Sequence, residues 1–303
     1  MNAHLKLVEA EAVEATEPVE NKEPLTVSEH IANNGIEACD VPNGTVFFYR
    51  DSDHSYWREL APKKDGTISG KGRLTGVSTV VGPMDWRPDN LMGWAAKLEL
   101  EGVCQLMALD GVAVSFDSAE SLRETLKDHE LTWRDVREQA AHRGTAVHQH
   151  ALHALAKGEQ IAFDELTQEE RGYAQGVAGF WLDHEPDVIA AEAAVCDLEL
   201  GVAGRLDLLC RIGGEVLVVD AKTSRYLSAK FSAQLAGYAL LAEASGYEAP
   251  SGGAILQVRE DGTYQLVRVP LDTADFTAAL EVYRREAEIK KQLRKAEKEA
   301  DNA

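Results

Sequence analysis

The sequence predicts a mixed fold of the α/β (α+β) class, organised around one β-hairpin. Residues 202–212 and 215–221 are aliphatic and β-branched runs joined by Gly213-Gly214, a two-residue loop typical of tight hairpins. Further strand patterns alternate with helical patterns before and after this hairpin. With 303 residues, of which 45% are hydrophobic and 27% charged, the chain can bury one sizeable core. These observations favour a single globular domain with appendages.

The first half of the chain predicts an arm, a hairpin and a series of helices. Residues 1–40 repeat glutamate without periodicity, which indicates a disordered acidic arm. Residues 46–60 are two aromatic runs around a polar turn and predict a hairpin, followed by a Gly-rich loop with Lys63, Lys64, Lys71 and Arg73. The helical patterns cover a segment from about residue 89, then 118–127, then 132–157 with Thr132 as N-cap.

The second half alternates strands and helices at short intervals. We predict helices at 167–184 and 228–245, strands at 188–198, 202–212 and 215–221, a second hairpin of 253–258 and 264–269, and a helix from Thr273. Beyond Tyr283 the last helix is charged on all sides, which indicates a solvated end. The predicted organisation is an arm (1–40), an N-terminal hairpin and helical subdomain (41–130), a core (131–285) and a charged helix end (286–303).

The central hairpin places two acids opposite each other. If the two glycines form the turn, positions pair when their numbers sum to 427, and Asp207 faces Asp220. Directly opposed residues have Cβ atoms about 4.5 to 5.5 Å apart, where like charges are destabilising. Lys222 lies on the face of Asp220, and Ala221 points to the other face. The pattern predicts a site where a metal ion and an ammonium group offset two carboxylates, as in a metal-dependent phosphodiesterase.

The simpler interpretation is that Asp220 and Lys222 form an exposed ion pair, which contributes only about 0 to 1 kcal/mol. That interpretation leaves the opposed Asp207 without an explanation. We therefore favour the catalytic interpretation.

Several ordered motifs resemble one nuclease family. Gly204-Arg205-Leu206-Asp207 and Asp220-Ala221-Lys222-Thr223-Ser224 are similar to the aspartate and D-x-K motifs of the PD-(D/E)XK nuclease superfamily, in its RecB-like branch of phage-type exonucleases. Gln234 and Tyr238 match the Q-x-x-x-Y signature, Gly144 to His148 match the histidine motif, and Glu192 takes the place of a further acid. Together the motifs cover roughly residues 143–241.

The resemblance implies a restriction-endonuclease-like core, a central mixed sheet flanked by helices, and a set of site residues. It implies catalytic roles for Lys222, Asp220, Asp207 and Glu192. It implies Mg²⁺ or Mn²⁺ ligands at Asp207, Asp220, the Ala221 carbonyl, His148 and Glu192. It leaves DNA-binding or structural roles for Gln234, Tyr238, Thr223, Ser224, Arg205 and Arg143.

Two features upstream of the D-x-K motif each have two interpretations. Glycine is unfavourable in a helix interior by about 1 kcal/mol relative to alanine. We therefore expect that close packing on a strand explains the glycine at position 144. His148 is either a hydrogen-bonded core residue or a ligand, whereas His150 and His153 are expected at the surface. The aromatics Tyr56, Trp57, Trp86 and Trp94 either pack in the core or stack on exposed bases.

Composition excludes several other classes of protein. No apolar run reaches the roughly 18 residues of a membrane span, so we expect no membrane partner and a cytoplasmic location, in the host if the chain is phage-encoded. The loop GTISGKG lacks the hydroxyl after Lys that a P-loop requires, so no nucleotide cofactor is expected. The cysteines Cys39, Cys104, Cys196 and Cys210 are expected to be reduced and mostly buried, and none follows Cys210 to hold an iron–sulfur cluster.

The formal net charge of −20 is the main argument against a nucleic-acid partner. The acidic arm and local basic residues near the site offset that argument. The leading interpretation is a metal-dependent DNA exonuclease acting on single- or double-stranded ends in phage or bacterial recombination, repair or replication, with a partner protein from one of these processes. The alternatives are a restriction-type endonuclease and a catalytically silent nucleic-acid-binding or assembly protein on the same fold.

Overall fold

The computed structural model describes residues 35–63, 68–85, 88–109 and 117–301. Most of the predicted acidic arm, together with Lys64 and Trp86, lies outside the described residues. Within the described part, no helix is both long and apolar enough to cross a bilayer.

Nine strands form one mixed sheet in the described part of the chain. Their bounds are β1 (Ile36–Asp40), β2 (Val46–Arg50), β3 (Ser55–Pro62), β4 (Ile68–Gly76), β5 (Asp187–Asp197), β6 (Val202–Ile212), β7 (Glu215–Lys222), β8 (Gly252–Val258) and β9 (Tyr264–Val269). The strand order is β1-β2-β3-β4-β6-β7-β8-β9, and β5 pairs with β6 off this path. The β4–β6 and β7–β8 pairs are parallel and the others antiparallel, so the mixed sheet is confirmed.

Helices pack against this sheet on both faces. Their bounds are α1 (Val77–Val81), α2 (Pro88–Ala108), α3 (Ala119–Asp128), α4 (Trp133–Val147), α5 (His153–Ala156), α6 (Gln168–His184), α7 (Lys230–Ala244) and α8 (Thr273–Asp301). A π-helical turn, His148–Leu152, joins α4 to α5, so the helix predicted at 132–157 is continuous but locally widened.

Local sequence explains why these elements begin and turn where they do. Gly213 and Gly214 both have positive φ angles, 59° and 86°, as a two-residue turn with left-handed central residues requires. Thr132 and Thr167 form capping boxes with Asp135 and Glu170, which fix the starts of α4 and α6. The predicted hairpin and N-caps are therefore confirmed.

The core has two main layers, one on each face of the sheet. On one face α7, with Leu235 and Leu241 fully buried, packs over β6 and β7 together with Phe276 of α8. On the other face α4 to α6 bury Val147 and Phe180 against the same strands. The strands β6 and β7 therefore lie between two helical layers.

The structure corrects three expectations from the sequence. Residues 36–40 form strand β1 rather than part of the arm. Lys71 and Arg73 lie in strand β4, not in a Gly-rich loop. A Cβ atom at Gly144 would meet only Thr223 Oγ1 at 3.9 Å, an ordinary contact, so close packing does not explain this glycine.

Candidate active site

The β6–β7 ladder follows the predicted register and opens at the two acids. Leu208 pairs with Val219, as the sum of 427 requires, and this is the last pair of the ladder. One position further on, Asp207 Oδ2 accepts a hydrogen bond of 2.8 Å from the backbone N–H of Ala221. The Asp207 carboxylate thus joins the two strands where their backbones separate.

Asp220 is buried, with 1% of its surface exposed. Its Oδ1 accepts a hydrogen bond of 3.3 Å from Gln234 Nε2, and its Oδ2 forms an ion pair with Lys222 Nζ. Among the described residues no directed hydrogen bond reaches Oδ2. Among the described residues Oδ2 therefore faces the Lys222 ammonium alone, and a carboxylate oxygen in this position can also bind a metal cation.

The pKa values of Asp220 and Lys222 reflect this burial. Burial raises the pKa of Asp220, the Lys222 ammonium opposes that rise, and the nearby Asp207 carboxylate adds to it. Burial by itself lowers the pKa of Lys222, but the Asp220 and Asp207 carboxylates outweigh burial and raise it. Lys222 is therefore an ammonium ion at neutral pH, not a base.

His148, Glu192 and Asp207 form a second group of polar side chains beside Asp220. One ligand atom from each of the three lies within 4.8 Å of the other two. His148 Nδ1 is 3.4 Å from Glu192 Oε1 and 3.7 Å from Asp207 Oδ1. On the other side of the ring, His148 Nε2 is 3.2 Å from the Ala221 carbonyl oxygen, which accepts a hydrogen bond when Nε2 is protonated. Burial lowers the pKa of His148, but the two carboxylates outweigh it and raise that pKa to about 9.

Glu192 adopts an unusual backbone conformation, with a φ of 47° inside strand β5. This left-handed conformation is uncommon for residues other than glycine and stores strain where the surroundings hold it. Arg205 Nε donates a hydrogen bond of 2.8 Å to the Glu192 carbonyl, and Arg205 Nη1 lies 3.4 Å from Glu37 Oε2. Arg205 therefore holds the backbone that presents Glu192.

Gln234 and Tyr238 brace α7 over the sheet. Both are buried, and Gln234 Nε2 lies 3.3 Å from the Tyr238 hydroxyl oxygen as well as from Asp220 Oδ1. A Cβ atom at Gly204 would lie 2.7 Å from Tyr238 Cε1, so only glycine lets β6 approach this ring. The structure therefore places both residues in the interior between α7 and β6, and Tyr238 also borders the cleft described below.

The remaining predicted residues lie around a second cavity. Thr223, Ser224 and Arg143 border a space of about 520 Å³ next to the end of β7. Arg143 Nη1 forms an ion pair of 2.6 Å with Glu169 Oε1. The structure thus divides the predicted residues into three groups. The first, called the carboxylate cluster below, consists of His148, Glu192, Asp207, Asp220 and Lys222. The second consists of Arg205, Gln234 and Tyr238, which hold that cluster in place, and the third borders the second cavity.

A cleft of about 660 Å³ lies over the carboxylate cluster, and the N-terminal hairpin forms its other wall. Tyr49 donates a hydrogen bond of 2.7 Å to Asp51, and its oxygen lies 2.8 Å from His54 Nδ1. His153 also borders the cleft, because the π-helical turn places it one wide turn after His148. Sequence reasoning did not assign Tyr49 or His54 to the site, and it expected His153 at the surface. The H-x-Y pattern at 54–56 was the available signal.

The predicted aromatic platforms mostly pack against other residues. Tyr56 is buried, with its ring centroid 4.9 Å from that of Tyr49. Trp57 lies against Gly70, and Trp94 meets Trp133 edge-on at 6.4 Å. Of these three, only Trp94 is largely exposed, at 41%. Base stacking by Tyr56 is therefore excluded by burial.

The donor set fits a hard divalent cation. Carboxylate oxygens from Glu192 and Asp207, the Asp220 oxygen that faces Lys222 and one imidazole match the ligands that Mg²⁺ and Mn²⁺ accept.

The sequence comparison agrees with the geometry of the site. The PD-(D/E)XK nuclease superfamily matches residues 115–302, which include the whole carboxylate cluster. The chain belongs to the PD-(D/E)XK nuclease superfamily. No curated protein sequence gives a match to this chain.

Solved structures of low similarity are also found. SSO0001 is 22% identical with a TM-score of 0.21, and the match covers 28% of this chain and 40% of that one. The alkaline exonuclease LHK-Exo from Laribacter hongkongensis is 13% identical with a TM-score of 0.30, covering 68% of this chain and 98% of that one. The LHK-Exo complex with dAMP is 15% identical with a TM-score of 0.30, covering 68% and 97%.

Proposed function

We propose that this protein is a divalent-cation-dependent nuclease that degrades DNA from strand ends. The observation that carries the proposal is the convergence of His148, Glu192 and Asp207 within 4.8 Å, next to the buried Asp220–Lys222 pair. The three acids at this point, Glu192, Asp207 and Asp220, repel one another unless cations offset their charge. The superfamily match supports phosphodiester bonds as the substrate class.

The carboxylate cluster would hold the cation. Glu192, Asp207 and His148 supply the three converging donors, and Asp220 Oδ2 with the Ala221 carbonyl are the further proposed ligands. Mg²⁺ or Mn²⁺ supplies Lewis-acid chemistry there, lowering the pKa of a bound water and stabilising charge on the phosphate. The strained backbone at Glu192, held by Arg205, orients its carboxylate before substrate binds.

Lys222 would act as a fixed positive charge. Its raised pKa keeps the ammonium protonated, so it orients the attacking water and offsets phosphate charge rather than accepting a proton. Gln234 fixes the Asp220 carboxylate, and Tyr238 fixes Gln234. Gln234 and Tyr238 therefore position the Asp220 carboxylate.

The test uses purified protein and end-labelled DNA. We expect linear single- or double-stranded oligonucleotides with Mg²⁺ or Mn²⁺ to give a ladder that shortens from one end, and no products after chelation. Asp207→Asn is expected to lower kcat by at least about a hundredfold, because it removes a cation ligand. Glu248→Gln, which changes only a surface pair with Arg211, is the matched control.

Other outcomes would identify the rival functions. Cleavage of circular DNA would indicate an endonuclease, and stable DNA binding in Mg²⁺ without nucleotide release would indicate a silent assembly protein. Equal cleavage of an RNA oligonucleotide would contradict the DNA preference. Full activity after exhaustive chelation would remove the metal mechanism.

A further inference from the structure

The second cavity, of about 520 Å³, contains the chemistry of an anion-binding site. Arg143, Arg225 and Arg259 border it together with the hydroxyls of Thr223 and Ser224. These five residues come from α4, from the loop after β7 and from the end of β8, so the fold brings them together. Guanidinium groups and hydroxyls are the donors that commonly bind phosphate oxygens.

Two of the three guanidinium groups, those of Arg143 and Arg259, are held by neighbouring residues but retain hydrogen-bond donors. Arg143 lies over the Tyr173 ring at 5.1 Å and pairs with Glu169, while its buried Nε has no hydrogen-bond partner among the described residues. Arg259 Nη2 contacts two neutral amide oxygens, Gln257 Oε1 at 3.3 Å and Gln265 Oε1 at 3.2 Å. Held in this way, the guanidinium groups lose little side-chain entropy when an anion binds.

Two acids, Glu260 and Asp261, also border the cavity, but one of them is already engaged. Asp261 Oδ1 accepts hydrogen bonds from Thr263 N at 3.0 Å and Thr263 Oγ1 at 2.6 Å, which stabilise the β8–β9 turn. The lining holds three guanidinium groups and two carboxylates, and Glu169, which pairs with Arg143, brings the formal charges to balance. The cavity is therefore close to neutral, whereas the carboxylate cleft is acidic.

Gly144 separates the two cavities. It borders the carboxylate cleft, whereas its neighbour Arg143 and the facing Thr223 border the second cavity. A Cβ atom at Gly144 would lie 3.9 Å from Thr223 Oγ1 and would meet nothing closer. Packing does not require a glycine at this position, and helix propensity disfavours glycine there by about 1 kcal/mol relative to alanine. An open passage between the two cavities would explain why residue 144 has no side chain.

The loop after β7 adds an exposed aromatic ring. Tyr226 is 78% exposed and carries the Arg225 guanidinium 5.7 Å from its ring centroid. Gln257 Nε2 donates hydrogen bonds to the carbonyls of Ser224 and Arg225 at 2.8 and 3.0 Å, which anchors the loop. An anchored, exposed aromatic ring beside arginines suits an unpaired base and its phosphate.

We propose that the second cavity binds the backbone of a single strand next to the scissile phosphate, and that the strand crosses α4 at Gly144. This inference rests on the proposed nuclease function and names its substrate class as a single-stranded segment longer than one nucleotide. Tyr226 stacks on a base of that segment, and Arg143, Arg225 and Arg259 contact its phosphates.

The test compares two substrates of different length. A single-stranded oligonucleotide occupies both cavities, whereas thymidine 5′-(p-nitrophenyl phosphate) occupies only the carboxylate cleft. The readout is the ratio of kcat/KM on the oligonucleotide to kcat/KM on the small substrate, together with the melting temperature of each variant. We expect Arg259→Gln and Tyr226→Ala each to lower this ratio roughly tenfold through KM.

Gly144 is tested with Gly144→Ala and Gly144→Leu. Gly144→Ala is expected to keep or raise the melting temperature while lowering the ratio, because a methyl group narrows the passage without a clash. Gly93→Ala and Gly93→Leu are the matched controls, since Gly93 lies in helix α2, is exposed and has nothing within 4 Å of an added Cβ atom.

The outcomes separate this inference from the proposed function. Wild-type protein that cleaves neither substrate contradicts the nuclease proposal. Active wild-type protein with unchanged ratios in folded Gly144→Ala and Arg259→Gln overturns the second subsite alone. Equal losses of kcat/KM on both substrates in the Gly144 variants also overturn the second subsite, because such losses indicate damage to the carboxylate cleft. If Gly144→Leu does not fold, the Ala variant and Arg259→Gln decide the question.

Discussion

The carboxylate of Asp220 has two stabilising contacts, an ion pair with Lys222 and a hydrogen bond from Gln234. Removing one partner of a buried ion pair leaves an uncompensated charge, which is strongly destabilising. Protonation relieves that charge, and burial already raises the pKa of Asp220. Stability and pH are therefore coupled at this single residue.

For Lys222→Met we predict a loss of unfolding free energy of about 3 kcal/mol near pH 8, shrinking as the pH falls to about 5. The direction of this pH dependence follows from the raised pKa of Asp220, because the folded state then binds the Asp220 proton more tightly than the unfolded state does. The protonated form therefore stabilises the fold at low pH, and this contribution is lost as pH rises. Chemical denaturation of variant and wild type at both pH values measures it.

Two further variants control this prediction. Asp220→Asn/Lys222→Met is expected to recover most of the stability near pH 8 and to remain inactive, because it removes both charges. Lys71→Met breaks an exposed pair with Glu59 and should change stability by less than about 1 kcal/mol. A stability deficit in Lys222→Met that is independent of pH would contradict the role given to Asp220.

Sequence reasoning predicted the residues of this hairpin but not how Glu192 and Arg205 act together. Asp207, Asp220 and Lys222 follow from strand period and a two-glycine turn, which are local rules. The left-handed conformation of Glu192 has no local signal, because strand patterns favour ordinary extended backbone at that position. The contact between Arg205 Nε and the Glu192 carbonyl arises only when β5 pairs with β6.

At the level of elements, α6 touches the β8–β9 turn through two glycines one helical turn apart. A Cβ atom at Gly172 would lie 1.7 Å from the Glu260 carbonyl oxygen, and one at Gly176 would lie 2.9 Å from the Thr263 carbonyl oxygen. Backbone therefore packs directly on backbone. This contact positions the turn that borders the second cavity.

We predict that Gly172→Ala lowers the unfolding free energy by about 1–3 kcal/mol, because the methyl group must displace a carbonyl. The same change also moves the turn, so oligonucleotide affinity should fall with stability. Thermal unfolding and oligonucleotide binding in Ca²⁺ measure the two effects. For Gly82→Ala, in the exposed 3-10 turn that follows α1, an added Cβ atom has nothing within 4 Å, and stability should stay within about 0.5 kcal/mol of wild type. Unchanged stability of Gly172→Ala would show that the turn is mobile enough to yield.

The sequence indicated most elements but few of their contacts. The helix at 167–184 and the Asp261-Gly262 turn were each predicted from local patterns, yet nothing local indicates that they touch. The π-helical turn at His148–Leu152 was also missed, since its i to i+5 bond leaves no periodic pattern of its own. Such features depend on tertiary packing, which overrides local propensity.

Across the whole molecule, the N-terminal strands extend the catalytic sheet. Only two parallel pairs, Thr75 with Val202 and Gly76 with Ala203, join β4 to β6. Pairs this far apart in sequence could not be inferred from hairpin rules. Through these two pairs the N-terminal hairpin becomes a wall of the cleft. Apart from residues 36–40, which form β1, the predicted boundaries between the segments of the chain stay predictions.

Charge is also a property of the whole chain. Residues 1–34 contain seven glutamates and two lysines, a formal −5 out of −20, so the remaining residues still carry −15. These 34 residues therefore hold only a quarter of the excess acid, so the rest of the chain is less acidic than the total suggests but is still strongly acidic. On the proposed function, DNA would approach a strongly acidic protein through the arginines of the second cavity.

This imbalance predicts a weak dependence of DNA binding on monovalent salt. With about three phosphate contacts, at Arg143, Arg225 and Arg259, the slope of log K against log salt should be near −2, on the rule of about −0.7 per contact for single strands. Arg259→Gln should reduce the magnitude of that slope by about 0.7, because the variant loses one phosphate contact. Fluorescence anisotropy with Asp207→Asn protein and a single-stranded oligonucleotide, at fixed Ca²⁺ and varied KCl, measures both slopes. Arg284→Gln, at a side chain held by the Leu200 carbonyl away from both cavities, should leave the slope unchanged. A wild-type slope of about −5 or steeper would require an extended basic surface, which contradicts a short path through two cavities.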